Sequence, residues 1–352
     1  MLNGHGGNLT EIAQRFNVKP ESLIDFSASV NSPIPMKMLR RWAVEAMERV
    51  GEYPDPEYRT LGKKLAGKFS LRETEILIGN GSSELLYLAL RAFKPKQALV
   101  VAPGYADYAD ACRFAGAKVS YFYLSESDGF VLDCKKLQKE AAHFDLVILG
   151  NPNNPTGGLV PKSELLKVIS KNRSTIFIID EAFIDFVPAE SLLGSLKNNL
   201  LVLRSLTKFY GIPGLRIGFA AAKPTIIKKM SAIKEPWTVN CVAEHAALKI
   251  CEGVVDERVE AVKADNSRAR FYKELSSLTS LTVHPGSANF LLARILDKRF
   301  TARKLQTELV KKGFVIRDCA NFEGLDKRYF RVAVKKDTDN RKFVNVLKEV
   351  LG

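Results

Sequence analysis

The apolar positions of this chain change period as it proceeds, and the changes divide it into elements. Leu9, Ile12, Ala13 and Phe16 recur at helical spacing behind Asn8, a residue suited to cap a helix. Residues 25–31 read as extended and are closed by Pro33 and Pro35. Helical periods cover 36–50 and 58–69, separated by the breaker Tyr53-Pro54-Asp55-Pro56. Beyond residue 75, short apolar runs predict strands over 76–78, 98–102, 118–123, 146–149, 175–179, 200–203 and 217–222. Helical patterns lie between them: one opens within 79–84 and runs to 93, others cover 105–115 and 162–170, and more follow up to 249. These strands do not alternate apolar with polar. Such runs belong to strands covered on both faces, so the pattern predicts a mostly parallel central sheet with helices on each side.

A long helical stretch over 254–275 leads to a different pattern. It reads β-β-α-β-β-α over 281–284, 289–295, 302–312, 314–317, 329–334 and 340–351, a smaller α+β domain. The expected division is a large domain over 30–262 and a small one combining 1–29 with 263–352.

Polar residues gather behind the strands, where open α/β sheets bind ligands. The richest group is Ser205-Leu206-Thr207-Lys208-Phe209-Tyr210, followed by Gly214-Leu215-Arg216. A lysine held in a pocket can lose its proton and attack a carbonyl, forming a Schiff base. Ser205 and Arg216 beside it suit a phosphate. Gly81, Ser82 and Ser83 stand at a helix start, where free N–H groups also favour phosphate. Asp180 ends a strand after four apolar residues and needs a partner there; a protonated pyridine nitrogen would serve. Asn154, in an Asn-Asn-Pro-Thr-Gly turn, could donate to a phenolic oxygen, and Tyr105 could stack on an aromatic ring.

In that order and spacing, Asn154, Asp180, Ser205, Lys208 and Arg216 resemble the site of the fold-type-I pyridoxal-phosphate enzymes, the aspartate-aminotransferase superfamily. The resemblance covers nearly the whole chain. It implies pyridoxal 5'-phosphate bound through Lys208 and a homodimer with shared active sites. It further implies that Tyr53 reaches the neighbouring subunit's cofactor phosphate and that Arg331 binds a carboxylate. A finer resemblance is to the threonine-phosphate decarboxylases of cobalamin (cobamide) biosynthesis. It rests on His5-Gly6-Gly7-Asn8, Asp25-Phe26-Ser27-Ala28, Asp180 through Phe186, Pro236-Trp237 and Arg317-Asp318-Cys319-Ala320-Asn321. This implies decarboxylation of L-threonine O-3-phosphate, with His5, Gly6, Asn154, Arg317 and Arg331 as substrate contacts. Histidinol-phosphate aminotransferases share most of the remaining motifs and form the alternative. Ser29 stands where the decarboxylases carry a substrate-binding Asn, which keeps L-serine O-phosphate open as a substrate. Phe183 replaces a tyrosine found in many aminotransferases, as it does in the decarboxylases.

Composition changes this picture little. The net charge of +14 comes from lysines and arginines spread through the chain and interleaved with acids, which describes a solvated surface rather than a nucleic-acid stripe. The five cysteines and four histidines are scattered without metal spacing. No apolar run is long enough to span a membrane, and the first residues lack the pattern of a secretion signal, so a cytoplasmic enzyme is expected.

Overall fold

The computed structural model describes residues 6–352. Its strands, in chain order, are β1 (Ile24–Asp25), β2 (Ile76–Gly79), β3 (Gln97–Ala102), β4 (Lys118–Tyr123), β5 (Leu146–Gly150), β6 (Ile176–Asp180), β7 (Leu200–Ser205), β8 (Gly218–Ala222), β9 (Leu281–His284), β10 (Phe290–Ile295), β11 (Phe314–Val315), β12 (Arg317–Asp318) and β13 (Tyr329–Ala333).

A seven-stranded sheet in the order β2-β8-β7-β6-β5-β3-β4 forms the centre. Strands β5, β6, β7, β3 and β4 pair in parallel. Because side chains alternate across a strand, the apolar runs feed two cores. Leu99, Val101, Val147, Leu149, Phe177 and Val202 pack on one face. Ala98, Val100, Leu146, Ile148, Ile178 and Leu201 pack on the other, against the helix Gly81–Phe93. Both faces are covered, as the lack of alternation requires.

One strand departs from the parallel pattern. β8 runs antiparallel to both β7 and β2. Residues 206–217, between β7 and β8, contain no crossover helix. A parallel neighbour needs such a crossover, so the chain turns back instead. The turn holds Lys208 against the sheet, with Ser205 paired opposite Gly218.

The smaller unit is an antiparallel sheet in the order β12-β13-β10-β9. Helices Glu257–Ser276, Ala302–Lys311 and Asp337–Leu351 pack with it around Phe271, Leu291, Leu305, Phe330 and Phe343. The single strand expected over 314–317 is two. β11 pairs in parallel with β1, while β12 pairs with β13, and the buried Ile316 lies between them. The amino-terminal segment is thereby tied to this unit. Phe26 stacks on Phe343 with ring centroids 4.5 Å apart, and its backbone bonds to Val315 and Ala333. The next residues are carried over the ends of the central strands.

Two further local differences are small. A helix at Cys134–Ala141 was not foreseen in the pattern, because it is short and mostly polar; Asp133 caps it by accepting from the N–H groups of Lys135 and Lys136. The helix expected from Tyr105 begins at Asp107, which leaves Tyr105 on the rim of the site. No helix among the described residues is long and apolar enough to cross a membrane.

Candidate active site

Strands β5, β6 and β7 end at the same edge of the sheet, and a cavity of about 340 Å³ opens there. It is lined by Ser82, Ser83, Tyr105, Asn154, Asp180, Ser205, Lys208 and Arg216 from the central unit. Gly6, Ser29, Arg317 and Arg331 line it from the amino-terminal segment and the smaller unit. The fold therefore brings together nearly every residue singled out in the sequence. Gly81 lies just beneath, and His5 lies outside the described residues. Tyr53 is elsewhere: it is 83% exposed and packs on Trp237, with ring centroids 5.1 Å apart.

Lys208 sits in the β7–β8 turn, where its carbonyl accepts from the Asn31 N–H at 2.9 Å. Burial and the nearby Arg331 and Arg216 lower its pKa to about 8, against the opposing pull of Asp180. An appreciable fraction of its amine is therefore neutral near pH 7, as a nucleophile requires.

Asp180 closes β6 with its carboxylate buried. Tyr108 Oη donates to Oδ2 at 2.8 Å, and the Ala182 N–H donates to Oδ1 at 3.0 Å. Burial raises its pKa, while these two donors and Lys208 oppose the rise. Tyr108 is a site residue that sequence reasoning missed. Its pattern, a tyrosine in the first turn of a helix, is that of any core aromatic; only the fold sets it against an acid 72 positions away.

At the far end, Ser205 Oγ and Thr207 Oγ1 lie 2.7 Å apart, and the Thr207 N–H donates to Ser205 Oγ. Arg216 takes a left-handed backbone conformation with φ 56°. Gly81 opens the neighbouring helix with φ 79°, and a Cβ there would lie 2.5 Å from Arg216 Nη2. That φ favours glycine, and a side chain there would also push the Arg216 guanidinium aside. The helix start, three serines (Ser82, Ser83 and Ser205) and the guanidinium thus share one small polar corner.

The opposite wall is cationic. Arg317 and Arg331 face each other directly in the β12–β13 register. Like charges placed so repel each other and favour an anion between or beside them. Arg331 donates to Asn154 Oδ1 through Nη1 and to the Ser27 carbonyl through Nη2 at 3.0 Å, and it lies 5.0 Å over the Phe290 ring. Arg317 donates to Asn321 Oδ1 at 2.7 Å and lies 5.2 Å over Phe322. Neither has a carboxylate in ion-pair contact among the described residues. Burial draws the pKa of Arg331 down to about 10, which leaves it charged at neutral pH. The hydroxyl of Ser29 is buried and has no hydrogen-bond partner among the described residues.

A mixed, mostly parallel sheet with a reversed strand, a smaller antiparallel unit and a lysine among anion-binding groups define the class. The chain belongs to the aminotransferase class I and II family, whose model matches residues 22–347, and it is an enzyme. It is 36% identical to threonine-phosphate decarboxylase of Salmonella typhimurium strain LT2, over 99% of this chain and 97% of that one. Among solved structures it resembles L-threonine-O-3-phosphate decarboxylase from Porphyromonas gingivalis, with a TM-score of 0.82 and 30% identity over 93% of this chain and 98% of that chain. It also resembles the histidinol-phosphate aminotransferase from Clostridium acetobutylicum, with a TM-score of 0.85 and 33% identity over 93% of this chain and 99% of that chain.

Proposed function

We propose that this enzyme binds pyridoxal 5'-phosphate and decarboxylates L-threonine O-3-phosphate to (R)-1-amino-2-propanol O-2-phosphate and CO2, for the nucleotide loop of cobalamin. The observation that carries the reading is the Arg317–Arg331 pair. The buried Arg331 and the half-buried Arg317, neither with a carboxylate in ion-pair contact among the described residues, line the same cavity as a lysine of lowered pKa, which suits a small substrate bearing more than one negative group.

The cavity fits the cofactor. Gly81, Ser82, Ser83, Ser205 and Arg216 form a corner suited to its phosphate. Asp180 is buried where an acceptor for a ring N–H is needed, and Tyr108 and the Ala182 N–H hold it in place. Tyr105 would cover the ring, and Asn154 would meet its phenolic oxygen. When bound, the cofactor supplies a covalent attachment for the substrate amine and an electron sink for the pair left at Cα.

The chain's own groups direct the outcome. Arg317 and Arg331 hold the substrate's anionic groups and so fix its rotation about the amine, which selects the bond that breaks. Lys208 Nζ, in its protonated form, would be the acid placed to give Cα the proton that takes the place of the lost CO2. Tyr53 and a homodimer belong to the same proposal. The exposed Tyr53–Trp237 pair, with Met36, Val44, Met47 and Val50 also exposed in this part of the chain, supports a covering partner subunit.

The test is CO2 release from threonine phosphate with no keto acid present. Release is the expected result, and parallel assays with serine phosphate decide whether Ser29 admits the smaller substrate. No CO2, together with amino transfer from histidinol phosphate to 2-oxoglutarate, would assign the chain to the aminotransferases instead. A second expectation concerns Gly81→Ala. The new Cβ meets Arg216 Nη2 and strains the backbone, so cofactor affinity should fall by roughly tenfold or more, read by absorbance titration.

A further inference from the structure

Ser27 carries a set of bonds that the reading above does not use. It is 4% exposed. Its hydroxyl donates to Asp25 Oδ1 at 2.6 Å and accepts the Gly7 N–H at 2.8 Å. Its own N–H donates to the same Asp25 oxygen at 2.7 Å. Its carbonyl accepts from Arg331 Nη2 at 3.0 Å. The direction of this chain is forced: an ionised carboxylate can only accept, so the single hydroxyl proton goes to Asp25 and a lone pair is left for Gly7.

Both ends of the chain are anchored. Asp25 is fixed by the β1–β11 pairing, opposite Val315. Gly6 packs so closely that a Cβ there would lie 2.3 Å from the Ser27 carbonyl oxygen, and Gly6 itself lines the cavity. Among the described residues, Arg331 donates hydrogen bonds to Asn154 and the Ser27 carbonyl, stacks on Phe290, and has no partner for its buried Nε. One residue therefore joins the amino-terminal strap to one of the two hydrogen bonds that Arg331 makes among the described residues.

We propose that Ser27, oriented by Asp25, is a positioning residue that couples the seating of the Gly6–Gly7 strap to the orientation of Arg331, and so governs affinity for the substrate anion. It acts through the strap and the guanidinium, and the chemical step proceeds on other groups. The inference rests on the proposed function only in taking the anion to be a phosphorylated amino acid.

The experiment uses the full-length holoenzyme with O-phospho-L-threonine. Ser27→Ala is expected to raise KM roughly tenfold while kcat stays within about twofold and the cofactor absorbance is unchanged. Hydrogen exchange at the Gly7 amide should quicken at the same time. Asp25→Asn keeps an acceptor for Ser27 and should restore both readouts, whereas Asp25→Ala should behave as Ser27→Ala. Gly6→Ala tests the coupling from the strap side: its Cβ would meet the Ser27 carbonyl oxygen at 2.3 Å, so it should quicken Gly7 exchange and raise KM together, even where Ser27→Ala fails to fold. Unchanged Gly7 exchange in Ser27→Ala overturns the proposal. So does a joint fall of kcat and cofactor absorbance, which would mark general loosening. If the parent enzyme does not turn over threonine phosphate, the proposed function fails, and Gly7 exchange in the two Asp25 variants still decides this inference.

Discussion

Replacing Lys208 with alanine is expected to abolish turnover, with kcat falling roughly 10⁴-fold or more. Lys208 is the amine in the cavity, and burial together with Arg331 and Arg216 brings its pKa to about 8. Among the described residues, no other lysine lines that cavity. Borohydride reduction after loading with pyridoxal phosphate should therefore label Lys208 in the parent protein and nothing in the variant. A label on another lysine would overturn the assignment of the whole site. The lowered pKa adds a second measurement. Capture of an added aldehyde needs the neutral amine, so its rate in the apoprotein should rise about tenfold per pH unit below pH 8 and level off above it. An ordinary lysine, with a pKa of 10.5, would keep rising well beyond that point. The same shift has a sign for stability. The folded site disfavours the charged lysine, so Lys208→Met should stabilise the apoprotein below pH 8. The gain should shrink as pH rises from about 8, where the folded lysine loses its proton, and should be gone above the ordinary lysine value of 10.5, where the unfolded chain has lost it too.

Asp180→Asn is expected to cost on the order of 10²–10³ in kcat while leaving cofactor affinity within about tenfold. The substitution keeps the shape of the side chain and removes its charge. The corner formed by Ser82, Ser83, Ser205 and Arg216 is untouched. What is lost is a buried carboxylate that Tyr108 and the Ala182 N–H hold at the end of β6. The cofactor's absorbance should shift as its ring nitrogen loses an anionic partner, which separates this variant from one that merely binds less. Tyr108→Phe removes one donor and should move kcat in the same direction by a smaller factor. An Asp180→Asn enzyme with normal kcat would remove Asp180 from the chemistry.

Much of this arrangement is legible along the chain. Strands β3, β5, β6 and β7 could be read because unbroken apolar runs need cover on both faces, and both cores are present. The groups that follow those strands could be read because ligand groups collect at strand ends. Asp180 declares itself locally, directly after an apolar run, and Ser205 and Lys208 do so as polar residues two and five positions behind Leu203, the end of another. Arg317 and Arg331 were named from resemblance to a family, and their individual positions carry no local signal.

The fold decided what depends on pairing between distant segments. β8 reads as one more apolar strand, yet it runs backward, because a connection without a helix cannot make a crossover. Residues 314–317 read as one strand, yet they split between two partners, β1 and β13, which have nothing in common in sequence. Tyr108 becomes the partner of Asp180, and Ser27 the partner of Arg331, only through contacts across 72 and 304 positions. The amino acid sequence alone determined which residues are apolar, which are ionisable and where strands stop, since these follow from each residue and its near neighbours. Which strand lies beside which, and therefore which two arginines stand side by side on one wall of the cavity, was decided by tertiary pairing, whose register no local periodicity encodes.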